Sequence, residues 1–313
     1  MNRCPILYIP CHGRYSAEGL RKLAPRLKEL QDFPYSAEQQ IREAVARADK
    51  LSIQGIQPKL SARLNVAAGK FELVDQGGTY ILKPQHPHYP QLPENEDLTM
   101  HLARLAGIET PLHGFVYCAD GSRTYWIRRF DRAGRGRKLA VEDFAQLSGK
   151  DRETKYDSSL EKVAELLGFC TFPAVERANL LRRALFCFLT GNEDMHLKNF
   201  SVIRREAVVR LAPAYDYLNT TLAFQAQGRP LAEIEEVALP LSGRKRKLTR
   251  KLWLDYYAQE RLGLPPAAIA AILADFAKTL PLWREWIANS FLKPEYQKLY
   301  AELLAERCQR LDL

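Results

Sequence analysis

Asp194, His196, Lys198 and Asn199 fall within one short segment, Leu189 to Ile203, which reads LTGNEDMHLKNFSVI. The segment begins where an apolar helical pattern ends, turns through Gly191-Asn192 and leaves through the apolar run Phe200 to Ile203. Asp194 and Asn199 are related as D-x-x-x-x-N, the spacing of a protein-kinase catalytic loop. There an aspartate accepts the proton of a substrate hydroxyl and a nearby amide oxygen holds magnesium. The same two residues in an ordinary loop are solvated or cap a turn, and the spacing alone does not separate these readings. Downstream, Leu211-Ala212-Pro213-Ala214-Tyr215-Asp216 is an apolar stretch ending in a single acid. Mg²⁺ takes hard oxygen ligands and commonly uses one or two carboxylates with phosphate oxygens, so Asn199 and Asp216 are a sufficient protein set. Asp216 as a helix cap or turn residue is the alternative. Asp194, Asn199 and Asp216 together favour phosphoryl transfer.

A nucleotide side is found earlier in the chain. Lys83 ends the apolar strand Thr79 to Leu82, where a lysine is disfavoured unless it snorkels or pairs. Glu96 lies in the first turn of the next helical pattern, and a strand lysine paired with a helix glutamate is how kinases seat the α and β phosphates. Either residue could instead be exposed. Ahead of them, Leu51 to Leu60 reads LSIQGIQPKL, with the lone Gly55. It matches neither G-x-G-x-x-G nor G-x-x-x-x-G-K-[ST], so general phosphate-loop patterns leave it as a loop.

The elements that must carry these residues change character along the chain. Phe71 to Asp75 and Thr79 to Pro84 read as two strands of a hairpin around Gln76-Gly77-Gly78, because alternating apolar residues flank a turn that needs positive φ. PENEDLTMHLARLAG predicts one amphipathic helix with acids in its first turn and Gly107 just past its end. Phe115 to Cys118 and Thr124 to Phe130 flank Asp120-Gly121 as a second hairpin. After Arg132 strands almost vanish. Leu181, Leu185 and Phe188, then Ile269, Ile272, Leu273 and Phe276, recur at helical spacing with prolines at the starts. Trp283, Trp286, Ile287 and Phe291, then Leu299, Tyr300, Leu303 and Leu304, extend the pattern to the C-terminus. The expectation is an α+β chain of two lobes: a small mixed α/β N-lobe over residues 1–131 and a larger helical C-lobe over residues 132–313, with the site at their junction.

Composition excludes other classes. A chain of 313 residues with 46% hydrophobic residues can bury a substantial core, and its glycine and proline contents are ordinary. No uncharged apolar run approaches the ~18 residues of a membrane helix. The N-terminus, MNRCPILYIPCHGRYS, is not read as a signal peptide, which places the protein in the cytoplasm. The six cysteines are scattered, so reduced thiols are expected. Cys4, Cys11 and His12 fall short of the four ligands of a structural zinc site. The formal charge of +9 resolves into two tracts, Arg132 to Lys138 and Arg244 to Lys251, which hold ten basic residues and no acid; the remainder is close to neutral. Such tracts are solvated loops or docking strips for an acidic partner.

Specific resemblance enters through SIQGIQPKL, TYILKP, LPENE, RRFDR, EDFAQL, Lys155-Tyr156, GNEDMHLKNFS and LAPAYD, in that order. Together, from about Leu51 to Tyr217, they resemble the HipA family of toxin serine/threonine kinases. The opening CPILYIPCHGRYSAEGLRKL, the short length and S-I-Q-G look closer to the HipT kinases of tripartite HipBST modules. The resemblance implies ATP and Mg²⁺ as cofactors. Asp194 would be the general base with His196 beside it, and Asn199 and Asp216 would be the metal ligands. Lys59 and Lys83 would contact ATP phosphates, with Glu96 as the ion-pair partner of Lys83. The main chain from Arg128 to Phe130 would form the adenine hinge, and Gln146 would approach the nucleotide. Ser52 matches the position of self-phosphorylation in the family; where some HipT proteins read S-I-S, this chain has Ser52-Ile53-Gln54.

The implied substrates are aminoacyl-tRNA synthetases, tryptophanyl by the likeness to HipT and glutamyl by that to HipA. HipS-like and HipB-like antitoxins are the implied partners, with no membrane and no direct specific DNA binding. Two other classes compete. A small-molecule kinase of the aminoglycoside or lipid type would share the two lobes and the loop. A basic nucleic-acid-binding protein would interleave stacking aromatics with its basic runs, and Arg244 to Lys251 contains none.

Overall fold

The computed structural model describes residues 2–47, 57–134 and 137–313. The chain divides into two compact units. One comprises residues 1–97 and 111–137, the other residues 98–110 and 138–313.

In the first unit, a short ladder of β1 (Asn2–Arg3) and β2 (Pro10–Cys11) precedes α1 (Ala17–Leu23) and α2 (Ala37–Ala46). Ser16 and Ser36 cap the two helices, each side chain accepting from a backbone N–H three residues on. Five antiparallel strands follow: β3 (Leu60–Asn65), β4 (Lys70–Leu73), β5 (Tyr80–Lys83), β6 (His113–Tyr117) and β7 (Arg123–Arg128). Their spatial order is β4-β3-β5-β7-β6. The strands expected on either side of Gln76-Gly77-Gly78 are present, but they do not form a hairpin. β3 lies between them, pairing Leu64 with Phe71 on one edge and Leu60 with Leu82 on the other. The two glycines serve this close approach: Gly77 has φ +67°, and a Cβ on Gly78 would collide with Ser61 Oγ. The second hairpin is as expected, with His113 opposite Ile127 and Tyr117 opposite Arg123. Phe71, Tyr80 and Trp126 meet on one face with ring centroids 5.2–5.8 Å apart. Leu20, Leu23, Leu27, Leu30 and Phe33 cover that face. Cys4 and Cys11 belong to this apolar core, and burial followed by the neighbouring Cys4 pushes the Cys11 thiol up, which suits packing rather than metal binding.

Helix α3 (Leu92–Leu105) differs from the amphipathic expectation. Glu94, Asn95, Glu96 and Asp97 are all buried. Each acid has a specific partner: Glu94 receives Arg123 at 3.0 Å and Gln85 at 2.8 Å, Glu96 pairs with Lys83, and Asp97 meets His113 at 3.2 Å. Buried carboxylates persist only when paired in this way.

The two-residue strands β8 (Arg132–Ala133) and β9 (Arg137–Lys138) pair with each other. The second unit then holds a three-stranded antiparallel sheet that the helical reading of this half did not anticipate: β10 (Val141–Asp143), β11 (Ser201–Arg205) and β12 (Val208–Leu211). Runs of three to five residues are too short to give a periodic signal. Around it lie α4 (Phe144–Leu147), α5 (Leu160–Leu166), α6 (Pro173–Thr190), α7 (Thr220–Gln225), α8 (Pro266–Ala288) and α9 (Pro294–Leu311). Helix α6 is the hub, with every residue from Leu185 to Thr190 buried. Phe186 stacks on Tyr217 at 5.5 Å and meets Trp283 of α8 edge-on at 5.3 Å, while Phe188 contacts Trp253 at 5.5 Å. Helix α8 is long and apolar enough by length and composition to cross a membrane, although charged residues such as Asp275 and Lys278 interrupt its apolar run. Ile269, Ile272, Phe276, Leu280, Trp283 and Ile287, which recur along one face of it, are buried inside the protein.

A buried ion network ties the C-terminal helix to the second basic tract. Arg307 lies under the Phe188 ring and 3.1 Å from Glu236, which also accepts from Arg310 at 2.6 Å and from the Leu248 N–H at 2.9 Å. Burial would push the Glu236 carboxyl up, but Arg307, Arg310 and the backbone donor outweigh it, so it lies below its ordinary value. Within the tract, Lys245 pairs with Glu235 and Arg250 with Asp312.

Two outcomes are expected. Glu236→Ala, which leaves Arg307 buried beside fewer acceptors, lowers stability by about 3–5 kcal/mol in urea titrations. Because the folded-state value of Glu236 is depressed, its contribution is complete above the unfolded glutamate value of about 4.3 and is lost as pH falls through the lower folded value. The wild-type loss between pH 5 and pH 3 should therefore exceed that of the variant; equal losses would contradict the network's role.

Candidate active site

Helix α6 ends at Gly191, whose φ of +68° places it in the left-handed region. The Asn192 N–H returns to Cys187 O at 2.9 Å, the closing bond of a Schellman turn. A Cβ on Gly191 would stand 2.9 Å from Asn219 Oδ1 and 3.0 Å from Thr221 Oγ1, and would collide with Leu303 Cδ2. Glycine is thus required at this position by both conformation and space. The Gly191 carbonyl accepts from the Thr221 N–H at 3.0 Å and the Thr220 hydroxyl at 3.2 Å, and Thr220 Oγ1 accepts in turn from the Glu193 N–H at 2.8 Å. The turn out of α6 is therefore fastened to the start of α7.

From this anchor the chain runs through Asp194 and His196 into a single turn of 3₁₀ helix, Leu197–Asn199, and then β11. Asp194 and Asn199 are brought together directly. The Asn199 amide nitrogen donates to the Asp194 main-chain carbonyl at 2.8 Å, and that carbonyl also accepts from the His196 N–H at 2.9 Å. With its nitrogen spent there, the Asn199 amide presents its oxygen on the other side. Asn192, fully buried, joins Asp194 to Asp216: its oxygen accepts from the Asp194 N–H at 3.2 Å, and its nitrogen reaches the Asp216 carbonyl at 3.5 Å. Asp216 itself has φ +56°, a conformation costly for a residue with a Cβ and one that surrounding structure must impose. Part of that structure is Tyr215, whose hydroxyl donates to Lys198 O at 2.9 Å and so receives the Ser201 hydroxyl at 2.5 Å.

Two residues quoted in the sequence only as part of a motif prove to touch this loop. Tyr156 donates to Asp194 Oδ1 at 2.5 Å, and Lys155 Nζ lies 2.8 Å from His196 Nε2. An ammonium can only donate, so Nε2 accepts and the neutral ring carries its proton on Nδ1. Burial, reinforced by Lys155 and only partly opposed by Asp194, lowers the His196 pKa. Glu193 moves the other way: burial first, then Asp194 and Glu235, push it up to about 8. Lys198 pairs with Asp143 at 2.9 Å. Asp143 and Gln146 form a reciprocal capping box at the start of α4, so the Gln146 amide oxygen is held by the Asp143 N–H at 2.9 Å. No sequence spacing signals Tyr156 or Lys155, which lie 38 and 41 residues from the atoms they hold.

The first unit carries the other expected residues. Lys83 donates to Glu96 Oε1 at 2.5 Å with both side chains almost wholly buried, and the ammonium lies 5.6 Å from the Tyr125 ring centroid. Lys59 stands half-buried just before β3. Arg128, at the end of β7, directs its guanidinium to Tyr80 Oη at 3.1 Å and Leu23 O at 2.5 Å, so its side chain is structural, and Phe130 follows in the turn after the strand. Ser52 lies outside the described residues.

A family profile described as HipA-like C-terminal domain matches residues 51–283. A putative kinase of Haemophilus influenzae is 32% identical over 269 residues, covering 78% of this chain and 75% of its own. The serine/threonine-protein kinase toxin HipA of Shewanella oneidensis is 26% identical over 252 residues, covering 74% of this chain and 56% of its own. Among solved structures, the HipA, HipB and operator DNA complex of Shewanella oneidensis superposes with a TM-score of 0.67 at 23% identity, over 92% of this chain and 74% of that one, which shows a shared α+β kinase-like fold. On the profile match and the Haemophilus relative, this chain belongs to the HipA-like family of kinases.

Proposed function

We propose that this protein is an Mg·ATP-dependent serine/threonine protein kinase that acts as a cytoplasmic toxin on aminoacyl-tRNA synthetases. The observation that carries the reading is the Asp194 loop, where one buried asparagine, Asn192, and one amide, Asn199, fix the acid that would act on the acceptor hydroxyl. The donors fit the metal: the Asn199 amide oxygen and the Asp216 carboxylate are hard oxygen ligands of the kind Mg²⁺ prefers. When bound, Mg·ATP supplies the phosphoryl group and the charge neutralisation that its transfer requires.

The chain's own residues divide the remaining work. Asp194 accepts the proton of the substrate hydroxyl. His196, neutral and buried, is held on Nε2 by Lys155 beside that acid. Lys83 and Lys59 bind ATP phosphates, with Glu96 as the ion-pair partner of Lys83. The main chain from Arg128 to Phe130 and the start of α4 at Gln146 receive the nucleoside.

The target assignment rests on resemblance. The opening segment and the S-I-Q-G loop favour a HipT-like kinase, hence tryptophanyl-tRNA synthetase first and the glutamyl enzyme second. HipS-like and HipB-like proteins are the proposed antitoxins; the HipA of Shewanella oneidensis was solved with HipB. Ser52 is proposed as the site of self-phosphorylation. A phosphate there adds about −1.5 to −2 charge to a loop meant to lie beside ATP phosphates, and like charges repel.

Incubating the protein with labelled ATP and a bacterial lysate, beside an Asp194→Asn control, should label one major band that the control lacks. Purified tryptophanyl- and glutamyl-tRNA synthetases, tested separately, identify it. A band of equal strength in the control would remove Asp194 as the base. The chain phosphorylated at Ser52 should bind an ATP analogue more weakly than the unmodified chain, and equal affinities would refute the repulsion account.

A further inference from the structure

The Asp194 main chain is held at both ends of its peptide unit, its N–H by Asn192 and its carbonyl by His196 and Asn199. Its carboxylate is held differently. Among the described residues, the one side chain that hydrogen-bonds it is Tyr156, at 2.5 Å to Oδ1. The adjacent Lys155 repeats the pattern on His196, where Nε2 is engaged at 2.8 Å and Nδ1 has no hydrogen-bond partner among the described residues. The Tyr156 ring meets the His196 ring edge-on at 5.0 Å, the Lys155 ammonium stands 4.9 Å from the Tyr156 centroid, and the Lys155 carbonyl accepts from the Leu197 N–H at 3.2 Å. Two consecutive residues thus grip the loop at Asp194, His196 and Leu197.

The segment that presents them is built locally. Asp151 Oδ1 accepts from the Glu153 and Thr154 N–H groups, both at 2.9 Å, and from Thr154 Oγ1 at 2.8 Å, forming an Asx-type turn. The Asp157 N–H then returns to Thr154 O at 2.9 Å, and Ser159 caps α5. Lys155 and Tyr156 are therefore fixed between a closed turn and a helix start, although the Tyr156 side chain is 39% exposed.

We propose that Lys155 and Tyr156 form a strap whose role is to set the side-chain geometry of Asp194 and His196: Tyr156 is a positioning residue that turns one carboxylate oxygen away and so aims the other at the acceptor hydroxyl. Burial and the Asp194 contact both raise the Tyr156 pKa, so the phenol keeps its proton at neutral pH and remains a donor. The phenol donates without taking part in transfer, and the acceptor's proton still goes to Asp194. This role rests on the kinase reading of Asp194. Removing the donor leaves the carboxylate able to rotate about its own bonds, and misplacement of a reacting group by about an ångström costs on the order of 100-fold in rate.

The test compares wild type, Tyr156→Phe, Asp151→Ala and Asp194→Asn in steady-state transfer from labelled ATP to the lysate protein that wild type labels. Tyr156→Phe should lower kcat by ~10-fold to ~100-fold, with KM for ATP and for the acceptor within about twofold and an unchanged thermal midpoint. Asp151→Ala, which keeps the phenol but opens the turn that carries it, should show a smaller loss of the same kind. An unchanged kcat in Tyr156→Phe would overturn the strap. So would a raised acceptor KM at constant kcat, which would make the phenol a docking contact, or a raised kcat, which would make it an occluding one. Labelling by wild type but not by Asp194→Asn upholds the kinase reading whatever Tyr156 does. No labelling by any form overturns that reading and the strap with it.

Discussion

The arrangement of the second unit depends on how helix α6 ends. Gly191 takes a left-handed conformation in a space bounded by Leu303, Asn219 and Thr221, where no Cβ fits. That single residue lets a helix whose last six residues are all buried stop and reverse into the loop that holds Asp194. Once the turn is made, its carbonyl and the next N–H groups are absorbed by Thr220, Thr221 and Cys187, so the loop begins from a fixed point. Everything the site needs downstream is built on that point: the bridge from Asn192 to Asp216, the amide of Asn199, and the entry into β11.

The same logic of fixed geometry governs the charged groups. In α3 the chain buries three acids in two turns, and each is matched by a cation or an imidazole from the first unit's own residues. Desolvating an unpaired carboxylate would cost several kcal/mol, so each partner is obligatory once the acid is inside. Lys83 is consequently held in a buried pair with Glu96. In the second unit Glu236 plays the corresponding structural part, collecting two arginines of α9 and two backbone donors of the basic tract. The tract is in this way fastened by its main chain while Arg244, Arg246 and Lys247 remain exposed.

Elements with strong periodicity or turn chemistry were legible in the amino-acid order. The long helices α6, α8 and α9, the hairpin at Asp120-Gly121 and the loop after α6 all announce themselves by spacing and by their glycines and prolines. Elements stabilised by distant neighbours were not. Strand β3 has no alternation that distinguishes it from a loop, yet it separates β4 from β5 because its edges satisfy both. Of the three short strands of the second unit, β11 and β12 form a local hairpin, but β10 joins them by pairing across some sixty residues, as between Val141 and Ile203. Helix α3 reads as amphipathic because its acids look like surface residues; their burial is decided by where Lys83, Arg123 and His113 arrive.

The sequence by itself determined the chemistry available and its local framing: an acid and an amide five apart after a glycine turn, a second acid on an apolar stretch, and a lysine at a strand end. These follow from bond geometry and short-range preference, which act within a few residues and so leave a mark in the order. Only the tertiary structure decided which of these groups are aimed and by what. Tyr156 and Lys155 reach Asp194 and His196 from 38 and 41 residues away, and Gln146 turns its amide back onto Asp143. Side-chain direction is set by whichever donors and acceptors packing brings within about 3 Å, and that depends on the whole unit being folded.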